Sequence, residues 1–278
     1  MKQFILSNKP ESVPDKENTV RLKGDDYRYL IHVRRLAVGE IFPALLPDNT
    51  EVLIRILSID KSKNTLIGKC IAPEDLTEDT ENSEKDSASS SPQIILFQAM
   101  PKGDKMDLIV RQAAESGIAE IVPFISEYSI AKVNAESHKF TRWEKIIKEA
   151  RQQSGSKTAT ALHKPLSLSE LFVYWEKINL AKTTGILFHH VPVRGLEQKS
   201  LHGYLNNDPK TIVLVIGPEG GFSDKEVSLF QENNFLPLTI GDTILRTETA
   251  AIYCTAAIRI ILLEKNSWEL KQKKTGSV

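Results

Sequence analysis

A glycine-rich stretch with one carboxylate, Gly217-Pro-Glu-Gly-Gly-Phe222, is the part of the chain best suited to hold a ligand. It follows the apolar run Thr211–Ile216, which predicts a buried strand, and it precedes Ser223-Asp-Lys-Glu226, which predicts a capped helix. Glycines let a backbone approach a ligand closely, and ligands of open α/β sheets bind beyond the carboxyl ends of the strands. A turn that only reverses the chain is the alternative interpretation.

The same stretch indicates which ligand to expect. A triphosphate-binding loop needs a lysine after its last glycine, and none follows Gly220 or Gly221 in that register. The dinucleotide pattern G-x-G-x-x-G is also absent from this stretch. A nucleoside-like ligand without phosphates fits better, because adenine needs an apolar slot with backbone donors and acceptors. S-adenosylmethionine is such a ligand.

A second polar segment, Arg246-Thr-Glu-Thr249, lies between two apolar blocks and runs into a predicted helix. A helix start accounts for Thr247 as the N-cap and for Glu248 beside the positive end of the helix dipole. It does not account for Arg246, because a cation is unfavourable at that end. We therefore expect Arg246 to have a charged partner, either Glu219 or an RNA phosphate.

Together these segments resemble the RsmE family, SPOUT-superfamily methyltransferases that modify N3 of a uridine in 16S ribosomal RNA. The resemblance covers nearly the whole chain except residues 73–92. Its matching stretches are residues 217–223, 245–250, 100–106, 142–143 with 149–150 and 153–154, and 32–35 with 39–40. Tyr128 and Ser156 stand where the family usually has arginine, which removes two cations that could hold RNA.

The resemblance implies an N-terminal PUA-like β-barrel, a C-terminal α/β domain with a trefoil knot, and a homodimer. It also implies that S-adenosyl-L-methionine binds in the loops 217–223 and 240–250. The cofactor-binding residues expected from it are Leu187, Ile216, Gly217, Pro218, Gly220, Gly221, Ile240, Gly241, Leu245, Thr247, Thr249 and Ala250. No metal is expected.

Methyl transfer from a sulfonium to a ring nitrogen is an in-line displacement in which the uracil imide proton must also leave. We expect Arg246 to stabilise the developing negative charge or to orient the base. Glu219 is the nearest motif carboxylate, and it could accept a proton or pair with Arg246. Two alternatives remain: a SPOUT enzyme acting on another RNA target such as a ribose 2′-hydroxyl, and a non-catalytic RNA-binding assembly factor.

Contacts to 16S ribosomal RNA of the small subunit are expected from basic side chains of the barrel and near the end of the first strand of the second domain. These residues are Arg21, Lys23, Arg34, Arg35, Lys102 and Lys105, joined by Gln153 from a family-matching segment. A solvated basic face is the commoner explanation for any single barrel cation. For His189-His190, a polar end to a buried strand is the preferred interpretation, with a pocket-lining role left open.

The elements that must position these residues fall into two regions. Short strands of a small β-barrel are predicted at residues 2–6, 41–46, 52–59 and 65–72, with a helical stretch at 25–35. Farther along, strands are predicted at 94–97, 118–124, 185–188, 211–216 and 237–240. Between and after them, helices are predicted at 104–116, from capping boxes at Thr141, Ser167 and Ser223, and at 248–264. This alternation predicts an α/β fold with a mostly parallel sheet.

The domain boundaries expected from this pattern are 1–72 for the PUA-like barrel, 73–92 for an acidic, serine-rich linker or loop, and 93–278 for the methyltransferase domain. The chain has 278 residues with 36 Lys and Arg against 36 Asp and Glu. Residues 73–92 hold 7 Asp and Glu against 1 Lys, so both flanking regions are mildly basic, which permits RNA binding.

Composition also excludes several classes. Two cysteines, Cys70 and Cys254, cannot form a disulfide framework, and the six histidines show no metal-binding spacing. The N-terminus lacks the apolar run of a signal peptide, and the most apolar stretch, residues 250–263, is short and interrupted by Arg259. We therefore expect a soluble, cytoplasmic protein without a membrane partner.

Overall fold

The computed structural model describes residues 4–6, 11–12, 18–46, 50–71, 92–129, 138–178, 182–190 and 198–275, with the backbone alone for 11–12 and 265–275. The chain divides into two compact units, Met1–Ser87 with Arg151–Lys157 and Ala88–Ala150 with Thr158–Val278. The acidic segment predicted at 73–92 lies outside the described residues except for Pro92, and so do the first residues of the strand predicted at 2–6.

The first unit is built on a six-stranded sheet in the order β1-β4-β5-β6-β3-β2. Its strands are β1 (Phe4–Ile5), β2 (Glu11–Ser12), β3 (Thr19–Lys23), β4 (Ile41–Leu45), β5 (Glu51–Asp60) and β6 (Thr65–Ile71). The β1–β4 pair is parallel and the other pairs are antiparallel. Alternate residues such as Phe42 and Ala44 on β4 and Ile54 and Ile56 on β5 enter one apolar core.

Two features of this unit differ from the sequence prediction. The single helix predicted at 25–35 is instead a short helix α1 (Gly24–Arg28) followed by a π-helical turn, Tyr29–Val33. Strand β3 was not predicted, although Val20 and Leu22 alternate with polar neighbours as a half-buried strand does. The strand is hard to recognise because the polar residues of the adjacent stretch Gly24–Arg28 obscure where it ends.

The second unit is built on a sheet in the order β10-β8-β7-β12-β11-β13, with β9 beside β8 and all described pairs parallel. Its strands are β7 (Gln93–Ala99), β8 (Glu120–Ile125), β9 (Ala161–Leu162), β10 (Leu166–Ser167), β11 (Thr183–Phe188), β12 (Thr211–Ile216) and β13 (Leu236–Leu238). The helices are α2 (Lys105–Glu115), α3 (His138–Ser154), α4 (Leu168–Ile178), α5 (Leu201–Leu205), α6 (Asp224–Glu232) and α7 (Thr247–Thr275). The predicted α/β class with a parallel sheet is confirmed.

Both faces of this sheet are buried. On β7, Ile94 and Leu96 belong to one apolar cluster, whereas Ile95 and Phe97 belong to another. This explains why the central strands are continuous apolar runs. The strand ends are also in register, because Phe188 of β11 lies opposite both Ile216 of β12 and Leu238 of β13. The segments that follow these three strands therefore meet at one edge.

Local helix signals were confirmed at two of three capping boxes. Ser223 accepts from the Glu226 amide while Glu226 accepts from the Ser223 amide, and Ser167 and Glu170 form the same reciprocal pair. The box predicted at Thr141 is wrong, because α3 begins earlier, at His138. Thr141 lies within the helix. Residues three apart are neighbours on one face of a helix, so the spacing from Thr141 to Glu144 occurs inside helices as well as at their starts.

Candidate active site

A cleft of about 220 Å³ lies at the carboxyl ends of β11, β12 and β13. Its wall comes from residues 188–190 after β11, residues 216–222 after β12, and residues between 238 and 254 that run from β13 into α7. Most of the wall is apolar side chain and glycine backbone, and its described residues include no lysine or arginine. Such a wall suits a ligand with a flat apolar part and no phosphate.

The two predicted loops are joined by a partly buried hydrogen bond. Thr247 Oγ1 donates to the main-chain oxygen of Gly217 at 2.7 Å and accepts from Gln98 Nε2 at 3.0 Å. The prediction that the Thr247 side chain acts as an N-cap is therefore wrong, because α7 begins at Thr247 itself and the hydroxyl is directed to another segment. Thr247 fixes the start of α7 against the loop after β12.

Close packing shapes the glycine loop. Gly221 has φ of +71°, and a Cβ built on it would lie 3.2 Å from Cε1 of His190. A Cβ on Gly220 would lie 3.0 Å from the Cβ of Tyr128, so the residue that replaces the family's usual arginine packs against this loop. The Gly221 amide donates to the Pro218 carbonyl and closes the turn. A positive φ and close packing against His190 both favour glycine at position 221.

Glu219, at the rim of the cleft, is paired with Lys105 and not with Arg246. Lys105 Nζ lies 2.6 Å from Glu219 Oε1 and 3.7 Å from Glu248 Oε2. The Lys102 amide also donates to both carboxylate oxygens of Glu219, at 3.1 and 3.3 Å. These contacts tie the turn before α2 to both ligand-site segments.

The pKa values of this pair reflect the contact. The hydrogen bond to Glu219 raises the pKa of Lys105 despite desolvation, with smaller Coulombic contributions from Glu219 and Glu248 and an opposing one from Arg246. Desolvation acts to raise the pKa of Glu219, but hydrogen bonds from Lys105 and from the backbone outweigh it and leave the pKa below its usual value. Glu219 is therefore an ionised, weakly basic carboxylate at neutral pH.

Arg246 stands beside this network with an exposed side chain. Its carbonyl accepts from the Ala250 amide in the first turn of α7. Among the hydrogen bonds and ion pairs of the described residues, none involves its guanidinium. Of the two partners expected for Arg246, Glu219 is instead paired with Lys105, and an RNA phosphate stays a prediction.

Two histidines that follow β11 line the cleft. The rings of His189 and His190 lie 4.7 Å apart in an edge-to-face arrangement. Burial lowers the pKa of His189, the nearby His190 lowers it further, and Asp224 acts in the opposite direction. The imidazole of His189 is therefore neutral at physiological pH, and the pocket-lining role left open by the sequence is what the structure shows.

Most of the predicted cofactor-binding residues come together here. Those in the wall are Ile216, Gly217, Pro218, Gly220, Gly221, Ile240, Leu245, Thr247 and Ala250. Leu187 instead is a core residue of β11, and Gly241 and Thr249 are exposed outside the wall. Phe222, Thr243 and Ile244 of the wall lie within the two predicted loops, although they were not among the residues expected individually. Sequence reasoning missed Phe188 and Leu238, whose positions at predicted strands were the available signal.

Cys254 also belongs to the wall, although the sequence favoured a packing role for it. It lies four residues after Ala250 on α7, so both share one helix face. Burial raises the pKa of its thiol to about 12. The group is therefore an unreactive apolar surface at neutral pH.

The predicted RNA-contacting residues are divided between the units. Arg21, Lys23, Arg34, Arg35 and Gln153 belong to the first unit, and Lys102 and Lys105 to the second. Lys23, Arg35, Gln153 and Lys102 are exposed, and Arg21 and Arg34 are partly buried. Lys105 differs from the rest, because its ammonium is already held by two carboxylates.

Metal-binding clusters and membrane-spanning helices are both absent from the described residues. Within the described residues, no group of three or more His, Cys, Asp or Glu side chains is arranged to hold a metal ion. None of the helices in the described part of the chain combines the length and the apolar character needed to cross a bilayer.

Comparisons with known proteins agree with this geometry. The RNA methyltransferase domain matches residues 89–259, and the RNA methyltransferase PUA domain matches residues 22–67. Ribosomal RNA small subunit methyltransferase E of Bacillus subtilis is 25% identical over 262 residues, which cover 93% of this chain and 96% of the relative. Ribosomal RNA small subunit methyltransferase E 2 of Borreliella burgdorferi is 30% identical over 249 residues, 86% of this chain and 90% of the relative.

Solved structures give the same result for the fold. A methyltransferase from Legionella pneumophila, in complex with the bound cofactor SAM, superposes with a TM-score of 0.71 at 27% identity. The match covers 93% of this chain and 97% of that one.

Proposed function

Since the chain belongs to the RNA methyltransferase family represented by ribosomal RNA small subunit methyltransferase E, we propose that it methylates N3 of a specific uridine in 16S ribosomal RNA, with S-adenosyl-L-methionine as the donor. The observation that carries this proposal is the cleft in which the loop after β12 and the start of α7 are joined through Thr247 and Gly217.

The cleft fits the proposed donor on chemical grounds. Apolar side chains such as Ile216 and Leu238 offer a slot for an adenine ring, and the Gly217–Gly221 turn brings main chain to the wall of the cleft. The described wall has no cation that would select a phosphate. When bound, the donor supplies a methyl group on a positively charged sulfur.

In the proposed reaction, N3 of uracil forms the new bond to the methyl carbon, the carbon–sulfur bond breaks with its electron pair on sulfur, and the N3 proton leaves to a base. Arg246 stabilises the negative charge that develops on the uracil, because its guanidinium is exposed beside the cleft and has no ion pair among the described residues. A cation beside the developing charge favours the anionic form of the base.

We assign Glu219 to holding the site together. Its lowered pKa makes it a poor proton acceptor, and its two oxygens are occupied by Lys105 and the Lys102 amide. Glu219 thus anchors the loop that forms one wall of the cleft, whereas the proton passes to another acceptor.

RNA binding is proposed for the first unit, because residues 22–67 match a PUA domain and carry Lys23, Arg34 and Arg35 at or near the surface. The target base must leave its stack to reach the cleft. The boundaries 1–72, 73–92 and 93–278 and the homodimer are also parts of this proposal. So is the cytoplasmic location, since small-subunit RNA is a cytoplasmic substrate.

Mass spectrometry of nucleosides from 16S RNA tests the target. RNA from a deletion strain should lack one N3-methyluridine, and the purified protein with S-adenosylmethionine should restore it. Loss of a 2′-O-methyl group instead would identify a ribose as the target. Calorimetry separates an enzyme from an assembly factor, because only the enzyme must bind the donor.

A further inference from the structure

The charged groups beside the cleft are unequally partnered. Lys105 is shared between Glu219 and Glu248, at 2.6 and 3.7 Å, whereas the guanidinium of Arg246 has no ion pair within the described part of the chain. Arg246 is nevertheless close along the chain, because it precedes Glu248 by two residues. The two carboxylates are therefore held by one cation, Lys105, with a second cation, Arg246, at the start of the same helix as Glu248.

We propose that Lys105 is a positioning residue that occupies Glu219 and Glu248 and thereby keeps the Arg246 guanidinium available to the RNA substrate. This inference rests on the proposed function, because the availability of Arg246 matters only if it acts on a bound base. It reassigns Lys105 from a direct RNA contact to the organisation of the site.

Burial of the Glu248 carboxylate makes this arrangement necessary. The Glu248 side chain is 14% exposed, and its Oε2 is buried without a hydrogen-bond partner among the described residues. Lys105 is the cation that the structure places against this oxygen. A buried carboxylate that loses its cation recruits another one nearby or takes up a proton. Arg246 would be the cation recruited.

The network also has an anchor that does not depend on the Lys105 side chain. The Lys102 amide holds both oxygens of Glu219, and a main-chain donor survives any substitution of a side chain. Lys105→Met should therefore leave the loop after β12 in place while it removes the charge. A loss of activity in this variant would therefore come from the changed charge and not from collapse of the cleft.

The test compares the kcat of a set of variants at saturating S-adenosylmethionine and saturating RNA. Lys105→Met should lower kcat about tenfold or more, since an arginine drawn into a pair no longer stabilises the anion. The dissociation constant for S-adenosylmethionine should change far less. Lys105→Arg should retain activity, and Lys105→Met with Glu248→Gln should recover it, because the buried charge that would capture Arg246 is then gone. In an Arg246→Ala background, Lys105→Met should have no further effect on kcat.

Two results would overturn the inference: a kcat that Lys105→Met leaves unchanged, or a double variant as slow as Lys105→Met. If Lys105→Met unfolds, the double variant decides, since position 248 then carries no buried charge without a cation. A side-chain NMR signal from Arg246 gives a readout without turnover. Its Nε–H should become protected from solvent exchange in Lys105→Met. If wild-type protein makes no N3-methyluridine, the proposed function fails, and the NMR experiment still tests the network.

Discussion

Thr247 Oγ1 donates to the carbonyl of Gly217 at 2.7 Å and links the first turn of α7 to the loop after β12 across 30 residues of chain. Gln98 Nε2 donates to the same hydroxyl from the end of β7, so three elements meet at one oxygen atom. Because the group is buried, removal of the hydroxyl leaves the Gly217 oxygen without this donor.

Thr247→Val should therefore weaken the proposed binding site for S-adenosylmethionine. It keeps the shape of the side chain and removes the hydroxyl, which costs about 1–3 kcal/mol when a buried partner is left unsatisfied. We expect a rise in the dissociation constant for S-adenosylmethionine, measured by calorimetry, with a smaller loss of thermal stability. Thr247→Ser is the matched control, since it retains the hydroxyl. Equal affinity of the valine and wild-type proteins would contradict this role.

Gly221→Ala should also impair the cleft, because the backbone at φ +71° and the ring of His190 both oppose a Cβ. The left-handed conformation alone costs about 1–2 kcal/mol for a non-glycine residue. Gly103→Ala isolates that contribution, because Gly103 has the same φ and nothing within 4 Å of its would-be Cβ. Donor affinity should fall for position 221 alone. A matching fall at position 103 would show that backbone strain, and not the cleft, is responsible.

Gly185→Ala should destabilise the second unit whether or not a ligand is bound. A Cβ there would lie 2.7 Å from Phe235 and 2.9 Å from Trp175, in the packed face of the sheet. Overpacking of this kind costs about 1–3 kcal/mol. Gly203→Ala on α5 is the control, because its nearest contact would be an ordinary 3.4 Å. Urea unfolding should show a lower midpoint for the first variant only.

The stability of the second unit should also depend on Glu120. His163 Nε2 lies 2.7 Å from its Oε2, and Tyr174 donates to the same atom. The hydrogen bond with His163 lowers the pKa of Glu120, partial burial opposes this, and Tyr174 lowers it further. A folded-state pKa below the usual 4.5 adds stability above pH 4.5, and this is lost as pH falls through the folded value.

Glu120→Gln should accordingly flatten the acid limb of the stability curve. Urea midpoints measured between about pH 3 and pH 6 should fall more steeply for the wild type than for the variant. An unchanged slope would mean that Glu120 has the same pKa in the folded and unfolded chains.

The sequence predicted what depends on neighbouring residues. Thr211–Ile216 is a buried strand because it is continuously apolar, and Ser223 with Glu226 forms a capping box within four residues. Thr141 shows the limit of such signals, because the same spacing also occurs inside a helix. The trefoil knot and the homodimer stay predictions from the family resemblance.

Relationships between distant segments could not be predicted in the same way. Lys105 and Glu219 are 114 residues apart, and only the order of β7, β12 and β11 in the sheet brings them together. The sequence therefore predicted Lys105 as an RNA contact and offered Arg246 as one of the possible partners of Glu219. His189 and His190 were equally ambiguous, because a polar strand end and a cleft wall have the same local pattern.

Arg246→Ala tests the proposed chemistry most directly. The guanidinium is exposed beside the cleft but is not part of its wall, so its loss should leave the dissociation constant for S-adenosylmethionine nearly unchanged. Removal of one group that stabilises a developing anion lowers kcat by about 10²–10³-fold, and we expect a loss of that order. Arg111→Ala, which removes another exposed arginine of the second unit, controls for the change in net charge. Undiminished formation of N3-methyluridine by Arg246→Ala would remove this residue from the mechanism, because the variant has no charge at this position.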